Sequence, residues 1–261
     1  MAYNEFAYFY DEFNEDANYE ALFSYVKKQL NKYGVKNGIV ADLGCGTGDL
    51  TLMLAQCGYD MIAIDYSEEM LAVLAEKVQQ VGVANVLMLR QDLTKLDLYG
   101  TVNAAVSTFD TYNHIGPFNR FEKAIADAAL FMEKGAVFVF DLNTPYKHKH
   151  ILADRTFEME TEDAVCIWKN DYDDAEKKSC IHIDIKYYDN DDKTENCFEE
   201  EFYEYVYTQQ QVCQVCEKYG LKIVEICDGE AFVPLKTDSQ RMIVTAIKQY
   251  TQNENCNKIV N

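Results

Sequence analysis

The sequence predicts an α/β protein in which a seven-stranded, mostly parallel sheet carries helices on both faces and is joined, late in the chain, by an antiparallel β insert. Strand-length apolar runs alternate with helical stripes from Leu22 to Phe140, the pattern of a parallel sheet. The first strand runs through Val40, Ala41, Asp42 and Leu43 into a turn with glycine at every second position, Gly44, Gly46 and Gly48. Residues 151–207 instead alternate polar and apolar positions, which is strand periodicity with no helices between.

Each element has its own signal. Leu22, Tyr25, Val26, Gln29, Leu30 and Tyr33 step at helical spacing and predict an amphipathic helix ahead of the first strand. Residues 59–64 read as a second buried strand ending at Asp65, with Ser67 as the N-cap of the helix that follows. Residues 86–90 form a third strand that closes on Gln91, Asp92 and Leu93, and residues 102–107 a fourth that opens into a polar loop, 108–115. A helix over 117–132 closed by Gly135 and a fifth strand over 136–141 follow.

In the insert, segments near 156–161, 164–172, 178–188 and 194–207 read as strands joined by acidic turns at 171–174 and 189–192. The second turn superficially suggests a calcium loop, but it lacks the glycine and closing glutamate at the required offsets, so a hairpin turn is expected. Thr208 and Gln211 form a capping box for a helix that ends at Gly220, and 221–226 and 242–247 supply the last two strands. Residues 251–261 read as a frayed polar tail.

The glycine turn carries the chemistry. Glycine reaches positive φ and lets a ligand approach the backbone, and the helix begun by Asp49, Leu50 and Thr51 aims free N–H groups at that ligand. A dinucleotide fingerprint would need its third glycine at position 49, where aspartate stands. With Asp42 before it, the stretch resembles motif I of the class I S-adenosylmethionine-dependent methyltransferases, whose sheet is Rossmann-like. Asp65-Tyr66-Ser67-Glu68-Glu69-Met70 resembles that family's second motif, with Asp65 suited to accept both ribose hydroxyls. The resemblance also implies that Asp92 caps the adenine amine, that Tyr10-Asp11 is the N-terminal element placed over the cofactor, and that the last strand is antiparallel beside the sixth. It covers roughly residues 36–145 and 208–248.

Composition sets limits. With 24 basic and 44 acidic residues the net charge is −20, which repels phosphate backbones and anionic lipid, so neither nucleic acid nor membrane is an expected partner. Nine scattered cysteines without framework spacing suit a reducing cytoplasm, and no leader or spanning segment is read at the N-terminus. Cys213 and Cys216 have redox or zinc spacing but sit in a predicted helix, and His148 and His150 read as a solvated loop, so no metal is expected. Homodimerisation is left open.

The expected activity is methyl transfer from S-adenosylmethionine to the nitrogen or oxygen of a small molecule. The alternatives are an NAD(P)-dependent oxidoreductase and a non-catalytic S-adenosylmethionine-binding domain. The expected organisation is a cofactor-binding core over 1–150 and 208–250, an acceptor lid over 151–207 and the tail. Cofactor contacts are expected from Tyr10, Asp42, Gly44, Cys45, Gly46, Gly48, Asp65, Tyr66, Met70, Gln91, Asp92, Leu93 and Phe109. Acceptor contacts are expected from Tyr112, Asn113 and Trp168, and a general base from His114, the one histidine in a loop beyond a strand's carboxyl end.

Overall fold

Gly38–Leu43 (β1) lies at the centre of a seven-stranded sheet in the computed structural model, which describes residues 5–14, 17–189 and 193–250. It pairs in parallel with Tyr59–Asp65 (β2) on one side and Val102–Ser107 (β4) on the other. Val86–Arg90 (β3) and Met132–Asn143 (β5) extend the parallel pairing outward from β2 and β4. Arg241–Lys248 (β11) runs antiparallel between β5 and Leu221–Asp228 (β10), so the order is β10-β11-β5-β4-β1-β2-β3. The seven predicted strands, the mostly parallel sense and the antiparallel last strand are all present. Strand order reverses between β1 and β4, and a crevice opens beyond the carboxyl ends of strands at such a switch point.

Both faces of the sheet are apolar because β5 is. Val137 and Val139 pack on the side of Leu30 and Leu54, in the helices Tyr19–Lys32 (α2, after a short turn Tyr10–Phe13, α1) and Asp49–Gln56 (α3). Phe138 and Phe140 point the other way, toward Phe121 and Val212, in Phe118–Leu130 (α6) and Gln209–Lys218 (α7). Glu68–Val81 (α4) is capped by Ser67 as expected, and α7 opens on the Thr208/Gln211 capping box.

Two expectations need correction. Helix α6 stops at Leu130 and the chain is already extended at Met132, so Gly135 sits within β5 at φ +89 instead of closing the helix. The register of β4 against β5 shifts between Val102 and Ala104 in this region, and a glycine inside a strand serves such a bulge. His148 is not in a solvated loop: it lies fully buried on a π-helical turn, Lys147–Leu152, with Nδ1 3.0 Å from Ser179 Oγ.

Thr156–Glu160 (β6), Ala164–Asp173 (β7), Lys178–Asp189 (β8) and Thr194–Tyr205 (β9) form the expected antiparallel meander. Cys166, Ile181, Ile183, Ile185 and Phe202 make its apolar face, which is covered by Phe6, Phe9 and Phe13 of the N-terminal segment. Turn residues 190–192 and the tail 251–261 lie outside the described residues.

Between the two sheets, the short helix Thr111–His114 (α5) holds Asn113, fully buried. Its Nδ2 donates to the Tyr205 carbonyl of β9 (2.8 Å), while its Oδ1 accepts the Asn143 N–H of β5 (2.9 Å). Asn113→Ala would leave both backbone groups buried without these partners. We expect it to lower unfolding free energy in urea titrations by about 1–3 kcal/mol. A loss below about 0.5 kcal/mol, the ordinary surface value, would show that the clamp is dispensable.

Candidate active site

The glycine turn stands at the switch point, and its glycines serve different ends. A Cβ on Gly44 or Gly48 would meet Thr111 or Leu74 at 2.2 Å, so those two positions are required by packing. Gly46, at φ +53, is open: its Cβ would find only Met70 Sδ at 4.0 Å. A cavity borders this turn, walled also by Tyr10, Tyr19, Asp42, Cys45, Asp65, Met70, Phe109 and His114. A second cavity adjoins it through shared Gly44, Asp65, Thr111 and His114, and continues past Tyr66, Gln91, Asp92 and Leu93 to Arg120.

Asp65 is the hinge of the two cavities. Its carboxylate accepts the Gly46 N–H through Oδ2 and the Ser67 N–H through Oδ1, each at 2.9 Å, which fixes the side chain with lone pairs to spare. Asp42 is buried and accepts the Thr51 hydroxyl, and burial pushes its pKa up to about 7. Burial likewise holds the Cys45 thiol well above its usual range, so it is neutral.

The N-terminal element reaches the same place. Asp11 accepts the Thr47 hydroxyl (2.6 Å) and pairs with Lys77 (2.6 Å), which also binds Asp49 (2.9 Å), and this seats Tyr10 beside the cavity. Asp92 caps the turn Leu93–Lys95 through the Thr94 N–H (2.9 Å) and lies 3.3 Å from Arg120. Burial raises its pKa, but those partners more than offset it, leaving the carboxyl below its ordinary value. Gln91 borders the second cavity with its side chain bonded to the backbone of Asp97.

Beyond β4 the chain makes two successive left-handed residues, Phe109 and Asp110, both at φ 54. Asp141, at the end of β5, accepts both of their N–H groups (3.0 and 2.7 Å), and Arg241 at the start of β11 binds Asp141 (3.2 Å) and Asp110 (3.4 Å). That turn delivers His114. Its Nε2 lies 3.4 Å from Asp110 Oδ2 and 3.9 Å from Glu204 Oε1, a carboxylate of β9. On the other side of Glu204, Oε2 accepts the Asn143 amide (3.0 Å) and lies 3.5 Å from His148 Nε2.

The two imidazoles are driven apart. Burial depresses both, but Asp110 and Glu204 more than offset this at His114, whose pKa is raised, while His148 is lowered. Neighbouring titratable groups with opposed shifts are candidates for acid–base work.

Sequence reasoning missed Tyr19, Thr47, Asp141, Glu204, His148 and Arg241 at this site. Asp110 was missed as well; it and Thr47 had local signals, the i,i+4 spacing to His114 and a place inside the glycine turn. Conversely, the residues expected to meet the acceptor lie elsewhere. Tyr112 is fully buried among Phe121, Phe138 and Phe140, Asn113 is the inter-sheet clamp, and Trp168 packs edge-on against Phe6 and Phe202. None of the three borders either cavity.

The arrangement fits the cofactor implied by the turn: an open glycine backbone at a helix N-terminus, and anchored carboxylates for hydroxyls and cationic groups. Comparison with known proteins agrees. Residues 40–135 match the family model described as a methyltransferase domain. The chain is 30% identical over 169 residues to a putative methyltransferase of Geobacillus sp. (strain WCH70), covering 64% of this chain and 68% of that protein. Its fold resembles the crystal structure of an S-adenosylmethionine-dependent methyltransferase from Clostridium acetobutylicum ATCC 824 (TM-score 0.85, 23% identity, 96% and 100% of the two chains). It also resembles a sugar N-methyltransferase from Streptoalloteichus sp ATCC 53650 (TM-score 0.76, 15% identity, 92% and 93%). Among the described residues no helix is long and apolar enough to cross a membrane.

Two outcomes are expected. Gly46→Val should abolish the melting shift given by S-adenosylmethionine with circular dichroism unchanged, at a modest loss of melting temperature from a β-branched residue at φ +53, whereas Gly48→Val should lower the melting temperature of the ligand-free protein further by also forcing Leu74 aside. A preserved ligand shift in the first variant would remove the glycine backbone from the cofactor site. Second, the cofactor carries ammonium and sulfonium charges, and protonating Asp42 removes a neighbouring negative charge. Isothermal titration should show affinity falling as pH drops through about 7 and levelling off above it. Asp42→Asn should flatten that dependence; an unchanged acid limb would place its origin elsewhere.

Proposed function

The chain belongs to the class I S-adenosylmethionine-dependent methyltransferases, and from that premise we propose that it methylates a small molecule at an amine nitrogen. The nicotinamide and non-catalytic alternatives fall away with the family assignment. One observation carries the proposal: the buried group of Asp110, His114 and Glu204 beside the glycine turn. Two carboxylates around one imidazole favour a positively charged acceptor and offer a place for the proton that an ammonium must lose before its nitrogen can attack. The sugar N-methyltransferase of like fold supports the same acceptor class. The net charge of −20 opposes a polyanionic one.

When bound, S-adenosylmethionine supplies a methyl group already activated on a sulfonium. The protein's own residues then orient and deprotonate. Asp65 and the Gly46 backbone fix the nucleoside, and Tyr10 and Tyr19 close the cavity on the side of the N-terminal segment. Glu204 and Asp110 draw in the ammonium, and the neutral imidazole of His114 takes up its proton. Alignment of nitrogen, methyl and sulfur with water excluded supplies the remaining acceleration. The sheet β6–β9 forms the lid over this end, since β9 contributes Glu204.

The raised pKa of His114 gives the sign of the pH dependence: the histidine is charged below it and becomes a base only above it. Turnover should rise with pH through a value above the ordinary imidazole pKa of about 6.5. Glu204→Gln, by removing a charge that stabilises the imidazolium, should move that limb to lower pH. With an acceptor amine in hand, His114→Ala should reduce kcat by about 10²–10⁴-fold with cofactor affinity little changed. Parental turnover in that variant, or a limb that stays in place in Glu204→Gln, would leave alignment as the whole of the catalysis.

A further inference from the structure

The outward face of the insert sheet carries a second group of reactive side chains, remote from both cavities. Cys180 and His182 stand two residues apart on β8 and therefore on one face. Asp171 of β7 is the direct cross-strand neighbour of Cys180, and Glu201 of β9 that of His182. One atom each from Cys180, His182 and Glu201 lie within 4.8 Å of one another. We propose that Cys180, His182 and Asp171 bind a divalent transition metal, with zinc favoured by the donor set, and that Glu201 orients the imidazole.

The distances assign these roles. His182 Nε2 lies 3.3 Å from Cys180 Sγ and 3.7 Å from Asp171 Oδ2. A tetrahedral zinc with ordinary bonds to sulfur, nitrogen and oxygen sets its ligand atoms about 3.4–3.6 Å apart, close to the distances of Cys180 and Asp171 from His182 Nε2, and the exposed Asp171 side chain must turn toward the Cys180 sulfur to complete the set. Glu201 is placed otherwise. Its Oε2 is 3.3 Å from His182 Nδ1, and its other oxygen accepts the Tyr203 hydroxyl. A carboxylate on the far nitrogen of a metal-binding histidine fixes the tautomer that leaves Nε2 free to coordinate. Water completes the shell.

Charge points the same way. Among the described residues, the ion pairs of Asp171 and Glu201 are made with His182 alone, and Lys178 lies over the Tyr203 ring (4.5 Å) instead of on a carboxylate. One thiolate, one imidazole and one carboxylate suit zinc over magnesium or calcium, which prefer oxygen alone. Because the donors come from adjacent strands locked in register, the backbone that carries them is set before the ion arrives, and the bound ion would staple β7 to β8.

The test uses the full chain, stripped of metal and titrated with Zn²⁺ alone by calorimetry, with Co²⁺ as an absorbing substitute. One ion per chain is expected, with a proton released from the thiol, a thermal upshift, and a sulfur-to-cobalt charge-transfer band. Cys180→Ser should remove that band and His182→Asn should abolish binding. Glu201→Gln should weaken binding by about 10–100-fold, as loss of an orienting carboxylate does. Cys213→Ser, which breaks the separate Cys-x-x-Cys pair on α7, should change nothing. Absent binding, or binding that survives Cys180→Ser and His182→Asn, overturns the site. If Glu201→Gln abolishes binding as completely as His182→Asn, Glu201 is itself a ligand and the proposed arrangement is wrong.

Discussion

Everything at the reacting end hangs on one buried carboxylate, Asp141. Two successive left-handed residues without a glycine cost about 1–2 kcal/mol each, yet Phe109 and Asp110 adopt that conformation where β4 ends. Asp141 compensates by accepting both of their N–H groups, bonds of a kind that contribute about 1.5–3 kcal/mol each to a charged acceptor. Arg241 neutralises Asp141 and reaches Asp110 as well. The turn, the helix after it and the position of His114 therefore follow from an ion pair between two neighbouring sheet strands, β5 and β11.

The electrostatics of the site grow outward from that pair. Arg241 and His114 flank Asp110 and hold its carboxyl well below the usual range against the effect of burial. Asp141, more deeply buried, stays above its ordinary value even with the arginine beside it. Beyond His114, Glu204 stands between a histidine inclined to carry charge and another inclined not to. Linkage gives His114 a further consequence. Since its folded pKa is raised, its contribution to stability is complete below the unfolded imidazole value and is lost as pH climbs through the folded one. On the proposed mechanism, the form that takes up a substrate proton is the form in which the native fold has given up this contribution.

Much of the molecule was legible in one sequence because its signals are local. The glycine turn, the acidic ends of β2 and β3 and the Ser67 and Thr208 caps each lie within a dozen residues, the alternation over 151–207 is read strand by strand, and each corresponds to an element in its expected place. What could not be read is what distance in the chain conceals. Arg241 and Asp141 meet across 100 residues, and Glu204 approaches His114 from 90 positions away, out of an acidic run that looks like any solvated strand. His148 misled for a related reason, since its lysine neighbours suggested solvent while the buried strand residue Ser179 claims it. Tyr112 and Trp168 show the converse. Aromatic residues near a site mostly fill the space around it, and sequence alone does not distinguish a wall from the masonry behind it.

Glu204 belongs to the insert, whereas the histidine it influences belongs to the core. Inserts of this kind invite treatment as interchangeable parts, to be exchanged between related enzymes when a new acceptor is wanted. The 3.9 Å approach of Glu204 to His114 argues against such modularity. A transplanted insert that omits this carboxylate would reset the proton affinity of a residue it does not contain. In this chain the insert and the proton affinity of a core residue change together.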